Sequence, residues 1–143
     1  MTSSCADSRW SGATVFVAAG LLMLTGRVSA ATPDISAAGG AATFAAKCAG
    51  CHGATASGGA EAPSLTGADF WSQWQGKPLR KLYSRIISTM PQSDPGTLTE
   101  EQTLGIVAFL TQLNTGAAPN PPYATANALN TVIVGAAKQK SQR

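Results

Sequence analysis

The sequence predicts an all-α fold, and three observations carry that prediction. An apolar stripe at helical spacing runs through Leu79, Leu82, Tyr83 and Ile86; a second runs through Ile106, Phe109, Leu110 and Leu113. Thr99, followed three residues later by Gln102, forms a capping box that opens the second stripe. Three main helices are expected in all, separated by small-residue connections.

The chain divides into three parts before any helix is placed. Residues 1–31 read as a secretory signal peptide. Arg9 gives the start a positive charge that Asp7 weakens, and Ala13 to Leu24 is uncharged and mostly apolar. Val28-Ser29-Ala30 and Ser29-Ala30-Ala31 both offer small residues to a signal peptidase, so cleavage is expected after Ala30 or Ala31. An uncleaved anchor is the alternative, but about a dozen apolar residues fall short of the roughly 20 that span a bilayer. Arg27 near the cleavage site is a departure, and Cys5 leaves with the leader. The expected location is the periplasm, with no stable membrane span after cleavage. Residues 32–116 form one domain, and 117–143 a Pro/Ala-rich C-terminal extension.

Charge excludes one class of partner. The net charge of +3 is too weak to argue for nucleic acid. Residues 32–116 are near neutral, with Lys47, Lys77, Arg80, Lys81 and Arg85 set against Asp34, Glu61, Asp69, Asp94, Glu100 and Glu101. The excess comes from Lys138, Lys140 and Arg143, a frayed basic terminus or a docking tail.

Taken in order, the first helix is expected from about Ser36 to Cys51, with Asp34 or Ser36 as its cap. Phe44 and Cys48 are one turn apart and share a face. Residues 53–76 read as a Gly-rich loop containing Phe70, Trp71 and Trp74. A second helix starts near Pro78, a residue suited to a first turn. Arg80, Lys81 and Arg85 fall largely off its apolar face and, with Lys77, make a positive cluster that is either a solvated surface or a charge partner for an acidic group. The third helix runs from Thr99 to Asn114-Thr115-Gly116, with Glu100 and Glu101 favourable in its first turn. Gly105 lowers helix propensity but allows another helix to approach closely. The tail carries Pro119, Pro121 and Pro122 and a β-prone run, Thr131 to Val134, able to lie extended on the domain or on a partner.

The chemistry sits in Cys48-Ala49-Gly50-Cys51-His52, the attachment pattern for haem c. Two thiols add across the two vinyl groups, the two-residue spacer on a helical turn sets their separation, and the histidine that follows is held beneath the iron. A disulfide or a thioredoxin-like pair would explain the cysteines but not the histidine, which is the only one in the chain. A zinc site wants further Cys or His ligands, and none remain. Met90 is the only methionine after the leader; it lies 38 residues beyond His52 and precedes Pro91-Gln92-Ser93-Asp94-Pro95-Gly96, which cannot continue a helix. A thioether suits ferrous iron and raises the potential, so His52 and Met90 are the expected iron ligands. An indole N–H in the 53–76 loop could bond a haem propionate, Trp71 before Trp74, with core packing the alternative for either.

These residues resemble a class I, mono-haem c-type cytochrome over nearly the whole mature chain. The resemblance implies the cytochrome c fold, three main helices wrapped around one covalently attached haem. It implies that Gly40 and Phe44 meet Phe109 where the first and last helices cross. It also implies that Ala62-Pro63-Ser64-Leu65 is the family's proline loop, in which the Pro63 carbonyl accepts a hydrogen bond from the other nitrogen of His52. The run from Met90 through Pro95-Gly96, Leu98 and the third helix is similar to cytochrome domains that accompany quinoprotein dehydrogenases.

The expected function is thus periplasmic electron transfer by a carrier that is not itself an enzyme. Its partners would be redox proteins: a quinoprotein dehydrogenase or another donor, and an oxidase or other respiratory-chain acceptor. A haem enzyme or gas sensor with a labile sixth ligand is the competing class, and a subunit whose haem only stabilises the fold is a third.

Overall fold

Five α-helices and one 3₁₀ turn are built along residues 34–119 and 123–136, the residues described by the computed structural model. The expected signal peptide, Pro121, Pro122, and the basic residues Lys138, Lys140 and Arg143 lie outside them.

Small residues make the first helix and decide how it packs. α1 (Ala37–Lys47) is capped by Ser36, whose hydroxyl accepts the Gly39 N–H, and buries Ala37, Gly40 and Phe44 on one face. The helix expected to run unbroken to Cys51 is interrupted at Cys48, where φ is −121°, and resumes as α2 (Ala49–His52). The Cys48 N–H still bonds the Phe44 carbonyl at 2.8 Å, so the break turns the chain without detaching it.

α5 (Glu100–Thr115) begins with both bonds of the expected capping box, Thr99 Oγ1 to the Gln102 N–H and Gln102 Oε1 to the Thr99 N–H. It ends at Gly116, which takes the left-handed conformation with φ +80°. Gly105 sits where α5 crosses α1. A β-carbon on Gly40 would fall on the Gly105 carbonyl group, so the two backbones touch with no side chain between them. One turn further on, Phe44 and Phe109 pack at a centroid distance of 5.3 Å and a 46° tilt. Burying a ring such as Phe44, only 1% exposed, contributes about 2–3 kcal/mol, and the aromatic pairing roughly 0.5–1.5 kcal/mol more.

The apolar face read for α4 (Leu79–Thr89) is buried as expected at Leu79, Leu82, Tyr83 and Ile86. α5 is different. Thr103, Leu104, Gly105, Ile106, Val107, Ala108 and Leu110 are buried, whereas Leu113 is 41% exposed. The expected single stripe fails here because α5 packs against both α1 and α4. A helix covered on more than one side needs no polar face over those turns.

Two segments depart from expectation. The 53–76 loop contains a helix, α3 (Gly67–Trp74), which buries Phe70 and half-buries Trp71 and Trp74. The tail does not form a strand among the described residues; it makes one antiparallel bridge, Pro78 to Ile133. Around that bridge the Leu79 N–H bonds the Val132 carbonyl, Gly76 N–H the Val134 carbonyl, and Val134 N–H the Lys77 carbonyl. Pro78 has no N–H to give, and that stops the ladder from growing. The 3₁₀ turn Ala126–Asn130 seats Leu129 in the core with no exposure, and Val134 is also buried. This part of the extension therefore completes the core.

The crossing gives a graded expectation. A β-carbon at Gly105 would lie 3.2 Å from the Gly40 Cα and the Asp34 carbonyl oxygen, tight but not overlapping. Gly40→Ala should lower unfolding free energy by about 3 kcal/mol or more, and Gly105→Ala by roughly 1 kcal/mol or less, because helix propensity offsets part of the crowding. Denaturant titration of the two variants side by side tests the order; equal costs would mean the helices do not cross on their backbones.

Candidate functional site

α1 and α2 position the attachment motif. Cys48 closes α1, half-buried against the core cluster, and Cys51 lies exposed on α2 one residue before His52. Neither thiol is bonded to the other. Burial pushes the Cys48 thiol pKa up, and the neighbouring Cys51 adds in the same direction. The pair is thus one sheltered and one open sulfur on adjacent turns.

His52 is the best-defined group of the site. Its Nδ1 lies 3.0 Å from the Pro63 carbonyl oxygen. A carbonyl only accepts, so Nδ1 carries the proton and donates, and Nε2 keeps its lone pair for a metal. The intervening chain is folded tightly to make this contact. Gly53 turns with φ +78°, the Ala56 N–H bonds the Gly53 carbonyl, and Ala56 itself is buried in the left-handed region at φ +58°. The Gly58 N–H bonds the His52 carbonyl, and the Leu65 N–H returns to the Ala56 carbonyl at 2.8 Å.

Met90 caps α4. Its N–H bonds the Ile86 carbonyl at 3.0 Å while its own backbone is extended, and its side chain is half-buried on the core cluster. Trp71 packs edge-on to Phe70 at 5.5 Å. The benzene carbons of its indole face Gly135 of the tail, at 3.1 Å from where a β-carbon would stand. Those carbons lie on the edge opposite the ring nitrogen. Within the positive cluster, Arg80 stacks over Tyr83 at 5.1 Å and Lys77 over Trp74 at 5.7 Å, and Lys81 and Arg85 are exposed.

These residues fit a covalently held haem. Cys48, Met90, Trp71 and Trp74 border one apolar cluster, and the donors on offer are two unjoined thiols, an imidazole with its outer nitrogen already paired, and a thioether. Among the described residues no group of three His, Cys, Asp or Glu is placed to hold a bare metal ion. One residue read only as part of a helix end also reaches this region: Asn114 of α5 bonds the Leu65 carbonyl and the Gly67 N–H. Its position in a final turn is unremarkable in sequence, and its partners lie 47 and 49 residues away.

Comparison with known proteins agrees with this geometry. The family model described as cytochrome C oxidase, cbb3-type, subunit III matches residues 36–110. No curated protein matches the chain. Among solved structures the chain is similar to one titled "Crystal Structure of the Sulfane Dehydrogenase SoxCD from Paracoccus pantotrophus", at 26% identity and a TM-score of 0.56. That match covers 76% of this chain and 61% of the other, so the chain spans about three-fifths of its neighbour's length.

Attachment through both sulfurs has a direct chemical signature. Cys48→Ser and Cys51→Ser should each keep one thioether and one vinyl group, moving the alkaline pyridine spectrum of the haem to longer wavelength. Acid–acetone extraction should release haem from the double variant alone; release from either single variant would mean that one sulfur is not bonded.

Proposed function

The chain belongs to the cytochrome family whose model is described as cytochrome C oxidase, cbb3-type, subunit III, and on that premise we propose that it is an exported one-electron carrier in which His52 and Met90 are the two axial iron ligands. Covalent haem c follows from the family and from the Cys48–Cys51–His52 spacing, and bound haem supplies an iron centre that takes up and gives back one electron.

The observation that carries the ligand assignment is the bond from His52 Nδ1 to the Pro63 carbonyl. It fixes the tautomer, aims Nε2 and increases the donor strength of the ring. Met90 offers a soft sulfur from a helix end held by a backbone bond. With both positions filled by protein, no site is left for a substrate to bind iron. Met90 and Cys48 pack against the apolar cluster, and a low-polarity flank of that kind would limit solvent reorganisation when the charge on iron changes. Trp71 is the indole proposed to bond a haem propionate, with core packing beside Phe70 as the alternative role.

The donor in this reading is a dehydrogenase. Two observations support it: the resemblance of the run from Met90 through Pro95-Gly96, Leu98 and the third helix to domains that accompany quinoprotein dehydrogenases, and the likeness to a chain of a sulfane dehydrogenase structure. The acceptor is an oxidase or another respiratory component. Export rests on the leader, with the periplasm as destination; no helix among the described residues is long and apolar enough to cross a membrane.

Two measurements test this function. The reduced wild-type protein should leave carbon monoxide unbound and show a low-spin spectrum; Met90→Ala should bind carbon monoxide and lose potential by more than about 60 mV, a tenfold shift for one electron. Ready carbon monoxide binding by the wild type would favour a haem enzyme or gas sensor. For export, the protein recovered from the periplasm should begin at Ala31 or Thr32, and an intact Met1 would refute cleavage.

A further inference from the structure

Pro63 presents a difficulty that the loop must solve. Its carbonyl holds the His52 ring, yet Pro63 itself is exposed, so packing of its own ring does not aim that carbonyl. The backbone on either side must do so. On the His52 side, the Gly58 N–H bonds the His52 carbonyl and the Gly59 N–H bonds the Ala62 carbonyl. On the other side, Leu65 returns to Ala56 through its N–H, which leaves its carbonyl free to be held from elsewhere.

That carbonyl is held by α5. The Asn114 Nδ2 donates to the Leu65 carbonyl at 3.0 Å and to the Leu110 carbonyl of its own helix at 2.9 Å. Its Oδ1 accepts the Gly67 N–H at 3.2 Å. The partners fix which end of the amide is which, since two carbonyls must face the NH₂ group and one N–H must face the oxygen. Both amide hydrogens are used. The side chain therefore grips the backbone on both sides of Thr66, starting two residues after Pro63, and the bond to Leu110 locks the side chain to the helix.

We propose that Asn114 is a positioning residue for the iron ligand His52, acting through Leu65 and the loop that carries the Pro63 carbonyl; this rests on the reading of His52 as a ligand. The path closes on itself. α1 and α2 carry His52, the loop carries Pro63 and Leu65, Asn114 ties the loop to α5, and α5 lies backbone to backbone on α1 at Gly105 and Gly40. No other amino acid of similar size supplies two donors and an acceptor in this arrangement. Leucine fills the space without making the bonds, and aspartate cannot donate to Leu65.

The test uses the haem-loaded protein with Asn114→Leu, Asn114→Ala, and Val107→Ala as a control. Val107 is fully buried on α5, and its truncation opens a cavity in the same helix while leaving the amide bonds in place. In the reduced state, NMR follows exchange of the His52 Nδ1–H with deuterated water, and potentiometry follows the iron couple. Both Asn114 variants should exchange that proton roughly 5- to 10-fold faster, as expected for loss of an ordinary hydrogen bond. Their potential should rise because a ring less firmly bonded at Nδ1 donates less to iron. Val107→Ala should melt at a lower temperature with exchange and potential close to wild type. The proposal fails if the Asn114 variants keep wild-type exchange and potential, or if Val107→Ala moves both as far. The ligand reading is tested separately, in the wild type: His52 ring signals without the strong shift of a group against haem would overturn it, and the Asn114 proposal with it. Should Asn114→Leu not accumulate, Asn114→Ala gives the same readout.

Discussion

The packing of α1 on α5 depends on the contact of two glycine backbones, Gly40 on α1 and Gly105 on α5. A side chain at Gly40 would overlap the Gly105 carbonyl group and force the helices apart, whereas one at Gly105 would only crowd the crossing. The loss would not stay local. Phe44 and Phe109 would separate, the end of α1 that becomes Cys48 would shift, and α5 would carry its far end away from the loop it touches. Helix propensity argues against glycine at both places, by about 1 kcal/mol each. The close approach brings α5 onto α1, the helix that leads into Cys48 and His52.

The features visible in the sequence are those with a long period or a local chemical signature. α4 shows its buried face through four residues at i, i+3, i+4 and i+7, and all four are buried. α5 announces its start through Thr99 and Gln102, whose reciprocal bonds are both present. The attachment motif is complete within five residues and needs no tertiary information. The Pro63 contact came from resemblance alone, since nothing about an alanine-proline-serine stretch says which side chain will find its carbonyl.

What the sequence concealed has physical reasons of the same kind. α3 has eight residues, opens on Gly67 and is followed by Gly76, both glycines with positive φ. Two turns are too short for a periodic pattern, and the flanking glycines read as loop. Its burial of Phe70 comes from packing rather than propensity. Leu113 has the spacing of a core position, continuing Ile106 and Leu110, but it borders an open cavity beside Ala37, Ala38 and Ala41 of α1 and meets solvent. Asn114 carries no local sign of its role because its partners come from the other half of the chain. The tail was readable as β-prone and unreadable as to partner, because a single bridge opposite a proline leaves no alternating pattern to recognise.

The order in which the pieces lie along the chain has a consequence for maturation. The thiols and the imidazole are complete by residue 52, yet Leu129 and Val134, which close the core, come some eighty residues later. A chain emerging amino end first therefore offers Cys48 to solvent long before the fold can bury it. In that open state burial does not raise the Cys48 thiol pKa as it does in the finished fold, and its sulfur is as reachable as that of Cys51. Both sulfurs are therefore on offer before the carboxyl-terminal segment adds Leu129 and Val134 to the core.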